Sequence, residues 1–136
     1  MITLNILDFK KAFILFASVV LLAGCKKDKE KDDNTSVDAF LGIYEVEEDC
    51  DSNKDYYTIV IKKSGSSNEV LIENFFDMEE TIKASVEGEI LTIKSQKIDE
   101  YTFNGTGSLN KSTNTLMIKF SYYEDGYDCT AKCIKP

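Results

Sequence analysis

The residues whose types and spacing could do chemistry lie closest together in Asp49-Cys50-Asp51-Ser52-Asn53-Lys54-Asp55. Asp49, Asp51, Asn53 and Asp55 alternate there, as oxygen ligands do in calcium loops. An EF-hand places glycine sixth and a bidentate glutamate twelfth, where this chain has Lys54 and Val60, and no helical pattern flanks the segment. It therefore reads as an acidic turn, with a calcium site as the weaker alternative and no metal expected. Other carboxylates come as adjacent pairs: Glu47 with Glu48, Glu79 with Glu80, Asp99 with Glu100. Acid–base catalysis needs two such groups converging on one substrate, and neighbours in a strand point to opposite faces. The chain has no histidine, which removes the commonest general base, the nucleophile–histidine dyads and the commonest metal ligand together. No catalytic residue and no cofactor are expected, and the protein reads as a non-enzyme.

Of the four cysteines, Cys129 and Cys133 lie four residues apart on one strand pattern, roughly 13 Å along an extended chain. Bridged Cα atoms lie within about 7 Å, so these two do not pair with each other. One of them is expected to pair with Cys50, leaving the other as a small buried residue or a partner for an intermolecular bridge. Cross-linking a loop of about 80 residues is worth around 4 kcal/mol in the chain-entropy model. There is no Cys-x-x-Cys spacing and no helix start to lower a thiol pKa, so redox chemistry is not expected.

Cys25 belongs to a different pattern. Lys10 and Lys11 precede an apolar run over residues 12–23, too short to cross a hydrocarbon core of about 30 Å but of signal-peptide length. The run ends in Leu22-Ala23-Gly24-Cys25, which resembles the lipobox of prolipoproteins: an aliphatic residue, two small residues, then the cysteine whose thiolate accepts a diacylglyceryl group. Residues 1–24 are thus expected to be a cleaved signal peptide and Cys25 the lipidated N-terminus, held in a membrane by two or three acyl chains at about 0.8 kcal/mol per buried CH₂. Residues 26–36 contain no apolar side chain and read as a flexible charged spacer. The expected organisation is a tether over 25–37 and one folded domain over 38–136. A charged stretch directly after the lipid cysteine resembles the export signal of surface-displayed lipoproteins in some Gram-negative bacteria. Outer-membrane attachment is expected, at the periplasmic face or the cell surface, in an oxidising compartment that favours a disulfide.

Charge narrows the partners. A net charge of −8 over 136 residues argues against nucleic acid, whose binders carry basic patches. It also repels anionic headgroups, so the folded part stands off the bilayer, and it favours basic partners. There is no tryptophan for a sugar-stacking platform, although there are seven tyrosines.

The elements that must position these residues are strands. Phe40, Gly42, Tyr44 and Val46 share one face, with Glu45 and Glu47 on the other and Cys50 in phase with Tyr44. After the turn at Asp51-Ser52-Asn53, residues 56–62 and 69–75 are rich in β-branched and aromatic types. Ile82, Ala84 and Val86 alternate, as do Leu91 and Ile93. Residues 98–109 carry Tyr101 and Phe103, with Gly105 and Gly107 where a strand bends or bulges. Leu116, Ile118, Phe120 and Tyr122 alternate, and Asp125-Gly126 turns the chain into a last strand over 127–135. About eight short strands without a helix predict an all-β antiparallel meander, curled into a small barrel that removes its own edges.

Phe40-Leu41-Gly42-Ile43-Tyr44, the strand over 68–72, Gly88-Glu89-Ile90-Leu91-Thr92-Ile93, Gly105-Thr106-Gly107-Ser108-Leu109 and Cys129-Thr130-Ala131-Lys132 together resemble small lipocalin-like (META-like) β-barrel lipoproteins of Gram-negative bacteria. These open with an F-x-G-x-Y strand and close with a C-T-A-x strand. The resemblance implies a lipocalin-like barrel and, through the cysteine of that closing strand, a Cys50–Cys129 disulfide with Cys133 left over. It supports fold and location more than function. The first functional expectation is a binding module whose interior or open end holds a small apolar ligand. An eight-stranded barrel either holds one small ligand or is filled by its side chains, and the size of Phe40, Tyr44, Phe103 and Phe120 favours filling. The alternative is a protein-interaction or inhibitor module with an acidic surface. Small acidic β-barrel lipoproteins include inhibitors of lysozyme, a very basic enzyme, although their S-G-x-x-Y signature is absent here. Tyr122, Tyr123 and Tyr127 around Asp125-Gly126 are a candidate contact patch. A third reading is an accessory subunit of a larger surface machine. A cavity would favour the small ligand, and a filled barrel with an acidic, tyrosine-bearing rim would favour the protein partner.

Overall fold

The computed structural model describes residues 35–122 and 126–136, all within one compact unit, Asp32–Pro136. The expected signal peptide, the lipidation site Cys25, residues 26–34 of the tether, and Tyr123 and Asp125 of the tyrosine patch lie outside the described residues.

The chain forms eight antiparallel strands: β1 (Gly42–Cys50), β2 (Asn53–Lys63), β3 (Glu69–Glu73), β4 (Thr81–Glu87), β5 (Ile90–Ile98), β6 (Tyr101–Asn110), β7 (Thr115–Tyr122) and β8 (Tyr127–Ile134). Each pairs with the next, and β8 returns to β1 to close the barrel. The period-two patterns dictate the inside. Tyr44 and Val46, Ile59 and Ile61, Val70 and Ile72, Leu91 and Ile93, and Leu116, Ile118 and Phe120 are all buried, each contributing about 1.5–3 kcal/mol on burial. Cys50 and Cys129 face each other across the closing pair and form a disulfide, with Cα atoms 4.4 Å apart and 79 residues between them in sequence. The bridge thus staples the one strand pair that no hairpin turn joins. Cys133 is a buried free thiol, pushed up to about 12 by burial and by the nearby Glu48 carboxylate, which leaves it unreactive.

Turn chemistry explains the connections. Asp51 and Ser52 both have positive φ between the paired residues Cys50 and Asn53, the geometry of a two-residue type I′ hairpin. At Gly105 a Cβ would stand 2.5 Å from the Lys119 carbonyl oxygen and 2.6 Å from the Phe120 Cβ, so only glycine lets β6 and β7 approach there. The bend expected at the glycines is shared with the partner strand, because β5 changes register between Ile93 and Gln96, opposite Gly105 and Phe103.

Two short segments depart from the all-strand expectation. Thr35–Phe40 is a helix, α1, so Phe40 ends a helix rather than beginning β1, and ordered structure starts inside the stretch expected to be tether. Six residues do not hold a helix alone. This one is fixed by burial of Val37 and Phe40 and by donors to its last carbonyls: Lys135 Nζ donates to Ala39 O and Tyr44 Oη to Phe40 O, both at 2.8 Å. Those carbonyls would otherwise be unsatisfied at the helix end. Gly42, at φ 137°, then redirects the chain into β1. The second departure is a 3₁₀ turn at Phe75–Asp77, where β3 had been expected to continue to Phe75. Asn74, Phe76, Asp77 and Glu79 all have positive φ, which a strand does not accommodate. Helix α1 covers the barrel end where β1 begins, and the 3₁₀ turn covers the end where β1 finishes.

Candidate functional site

The end capped by the 3₁₀ turn gathers most of the residues singled out from the sequence. Antiparallel connectivity brings the β1–β2 turn, the segment over 74–80, the β5–β6 turn and the start of β8 to this one end. With them come exposed Asp51, Asp77, Glu79, Glu80, Asp99 and Glu100. Lys54 and Lys97 are cations near this end, Lys54 engaged with Glu47 on the outer wall. The opposite end is charge-balanced by comparison, with Lys63 on Asp38 and Lys111 on Glu89.

Aromatic side chains fill the same end. Phe75 packs edge-on to Phe103 and Phe120 at centroid distances of 5.5 and 4.9 Å, and Phe76 lies 4.9 Å from Tyr122. Tyr122 stacks on Tyr127 at 5.6 Å, so two members of the expected tyrosine patch meet. Tyr127 remains 48% exposed, and Tyr56 on β2 is 71% exposed. The turn beneath is pinned by Asn74, whose Nδ2 donates to Thr58 O at 2.9 Å and whose Oδ1 accepts from Glu79 N at 2.8 Å.

The calcium candidates are separated by the hairpin itself. Asp49 pairs with Lys54, whereas Asn53 pairs with Cys50 and Asp55 with Glu48. Asp49 therefore lies on the outward face of the ribbon, and Asn53 and Asp55 lie on the face of Glu48 and Cys50. No group of three or more His, Cys, Asp or Glu side chains that could hold a metal ion occurs among the described residues. Of the paired carboxylates, Glu47 and Glu48 diverge as strand geometry requires, Glu47 on the outer wall and Glu48 buried, 3% exposed. Glu79 with Glu80 and Asp99 with Glu100 lie instead in exposed turns.

Glu48 is the residue whose role the sequence reading missed. One carboxyl oxygen accepts from the Tyr57 hydroxyl. The other lies 3.6 Å from Cys50 Sγ, a disulfide sulfur that has no hydrogen to donate. Burial raises the Glu48 pKa; the Tyr57 hydrogen bond opposes this, and nearby Asp55 and Asp77 add to it. Burial, followed by Glu48 itself, raises the Tyr57 pKa in turn. The Tyr57 hydroxyl favours the charged form of Glu48, whereas Glu48 disfavours ionisation of Tyr57, and the pair ties β1 and β2 to the turn beside Phe76.

Among the described residues, large buried side chains occupy the barrel interior. Tyr44, Phe40 and Phe103 are its largest fully buried side chains. Two depressions among the described residues are open to solvent. One of about 540 Å³ lies along the outer wall of β6, β7 and β8, between Asn104, Thr106, Lys119 and Asp128. Another of about 640 Å³ is lined by Glu73, Asn74, Asp77, Glu79 and Thr81 at the acidic end. Comparison of the chain with protein-family models, with curated proteins and with solved structures finds no match.

Proposed function

We propose that the protein is a membrane-anchored, non-enzymatic binding module of the cell envelope that docks a basic protein surface on the acidic, tyrosine-bearing end of its barrel. The observation that carries this reading is the segregation of charge and aromatic surface to one end of a filled barrel. Exposed tyrosines supply rigid amphipathic contact area, and clustered carboxylates steer a basic partner toward it. The tether expectation supports the same orientation. The chain enters the barrel through α1 at the opposite end, so a lipid on Cys25 would leave the acidic end free. The small-ligand expectation has less support, because the side chains that would line a calyx fill it.

Lysozyme is a suitable basic probe. Titrated with oxidised residues 26–136 at low ionic strength, it is expected to bind, and Asp77→Lys combined with Glu79→Lys and Glu80→Lys is expected to weaken binding by about tenfold or more. Glu87→Lys with Glu89→Lys, at the other end, is expected to leave it within about twofold. No binding, or equal weakening by the two sets, overturns the charge-steered reading.

A further inference from the structure

β4 and β5 run on well beyond the residues that join them. Their ladder contains Ser85 with Thr92, Val86 with Leu91 and Glu87 with Ile90, while the strands extend to Thr81 and to Ile98. Past Ile93 the register of β5 on β6 shifts, leaving Lys94 and Ser95 exposed in the irregular stretch. Gln96 sits opposite Phe103, a position whose side chain should point inward, yet its amide turns sideways into the gap. Gln96 Oε1 accepts from the Lys83 backbone N–H at 3.0 Å, and Nε2 donates to the Lys83 carbonyl at 2.8 Å. One side-chain amide thus stands where a residue of a neighbouring strand would stand. An open depression of about 230 Å³ marks the gap, lined by Lys83, Ser85, Thr92, Lys94 and Gln96 among others.

We propose that this seam accepts an extended acidic segment of a partner protein as an added strand, with the Gln96 side chain as its displaceable placeholder. An unpaired strand edge is a template for another chain. The incoming residue would replace the two Gln96 hydrogen bonds on Lys83. The Gln96 Nε2 bond to Lys94 O at 3.2 Å is exchanged for water, a small net cost set against the rotamers that the released side chain regains. Charge sets the sign of the occupant. In a chain of net charge −8, the seam is flanked by exposed Lys83, Lys94 and Lys97, none of which is in a salt bridge among the described residues. Glu69 also borders the depression, at the end that is already paired. Carboxylates on the outward side of an added strand would meet these lysines. The seam opens at Thr81 and Ile98 toward the acidic end, beside Glu79, Glu80, Asp99 and Glu100, so the occupant's carboxylates are placed over Lys83 and Lys94. The two proposals are separated by Lys83→Glu with Lys94→Glu, which leaves the docking-end carboxylates unchanged.

The test uses short acetylated peptides, one alternating valine with glutamate and one alternating valine with lysine, titrated into oxidised residues 26–136. The glutamate peptide is expected to bind and the lysine peptide not to. Gln96→Ala is expected to tighten binding about tenfold by removing the competitor, and Lys83→Glu with Lys94→Glu to abolish it. Hydrogen exchange at the Lys83 amide is expected to be slow in the native protein, fast in Gln96→Ala, and slow again once peptide is added. If Gln96→Ala does not fold, Gln96→Met removes the amide while keeping the chain length and is read instead. Absence of binding to native and variant protein alike, equal binding of the lysine peptide, or a Lys83 amide that stays exposed with peptide present overturns the proposal. So does concentration-dependent dimerisation of the variant without peptide, which would make a second copy the occupant.

Discussion

Burying the Glu48 carboxyl against one hydroxyl donor makes barrel stability depend on pH in the direction opposite to that of a salt-bridged carboxylate. Its folded pKa is raised, so its contribution is fully present below the unfolded value and is lost as pH rises through the folded value. Glu48→Gln keeps the shape and removes the titration. It is expected to be more stable than the native protein at pH 8, by about 1 kcal/mol or ~4–8 °C in Tm, with the difference shrinking toward pH 4. Thermal melts across that range check this, and a difference that grows on acidification would contradict it. The position was legible: Glu48 is in phase with Tyr44, Val46 and Cys50, all read as inward. Its tolerance there was not, because the Tyr57 hydroxyl that satisfies it comes from the next strand. The alternating acidic spacing at residues 49–55 is subject to the same limit. Alternate residues share a face along one strand, but the turn at Asp51-Ser52 carries Asn53 and Asp55 onto a different face from Asp49.

At the scale of elements, the segment over 74–80 is held by side-chain hydrogen bonds rather than a ladder. Asn74→Ala removes both of its backbone partners and places alanine at φ 58°, a region that asparagine tolerates and alanine does not. The expected local cost is about 1–2 kcal/mol. It should appear as roughly tenfold faster hydrogen exchange at Phe76 and Met78 with β1 and β8 unchanged, whereas uniform acceleration would show that the turn is not a separable cap. Strand identities and facing were readable because alternation is local, as at Ile82, Ala84 and Val86. The 3₁₀ turn was not, since Phe75 and Phe76 look like strand continuation until four positive-φ residues break it. Helix α1 carried one overlooked signal, the spacing of Thr35 and Asp38, which matches the [ST]-x-x-[DE] start of a helix.

For the whole molecule, closure by the β1–β8 pair and its disulfide fixes two chemically different ends. The choice of Cys129 over Cys133 as the partner of Cys50 came from the resemblance in the last strand, and register explains it: Cys50 faces Cys129, while Cys133 faces Val46. Charge segregation is a property of connectivity. The acidic turns are scattered through the sequence and become one surface only when alternate loops meet at one end of the barrel. The most direct test of that surface is native mass spectrometry of oxidised residues 26–136 after exposure to an extract of the cells that make it, beside the variant carrying Asp77→Lys, Glu79→Lys and Glu80→Lys. The account predicts a protein adduct on the native barrel that is lost from the variant. A small-molecule adduct retained equally by both, with no protein bound, would contradict it and return the function to the barrel interior.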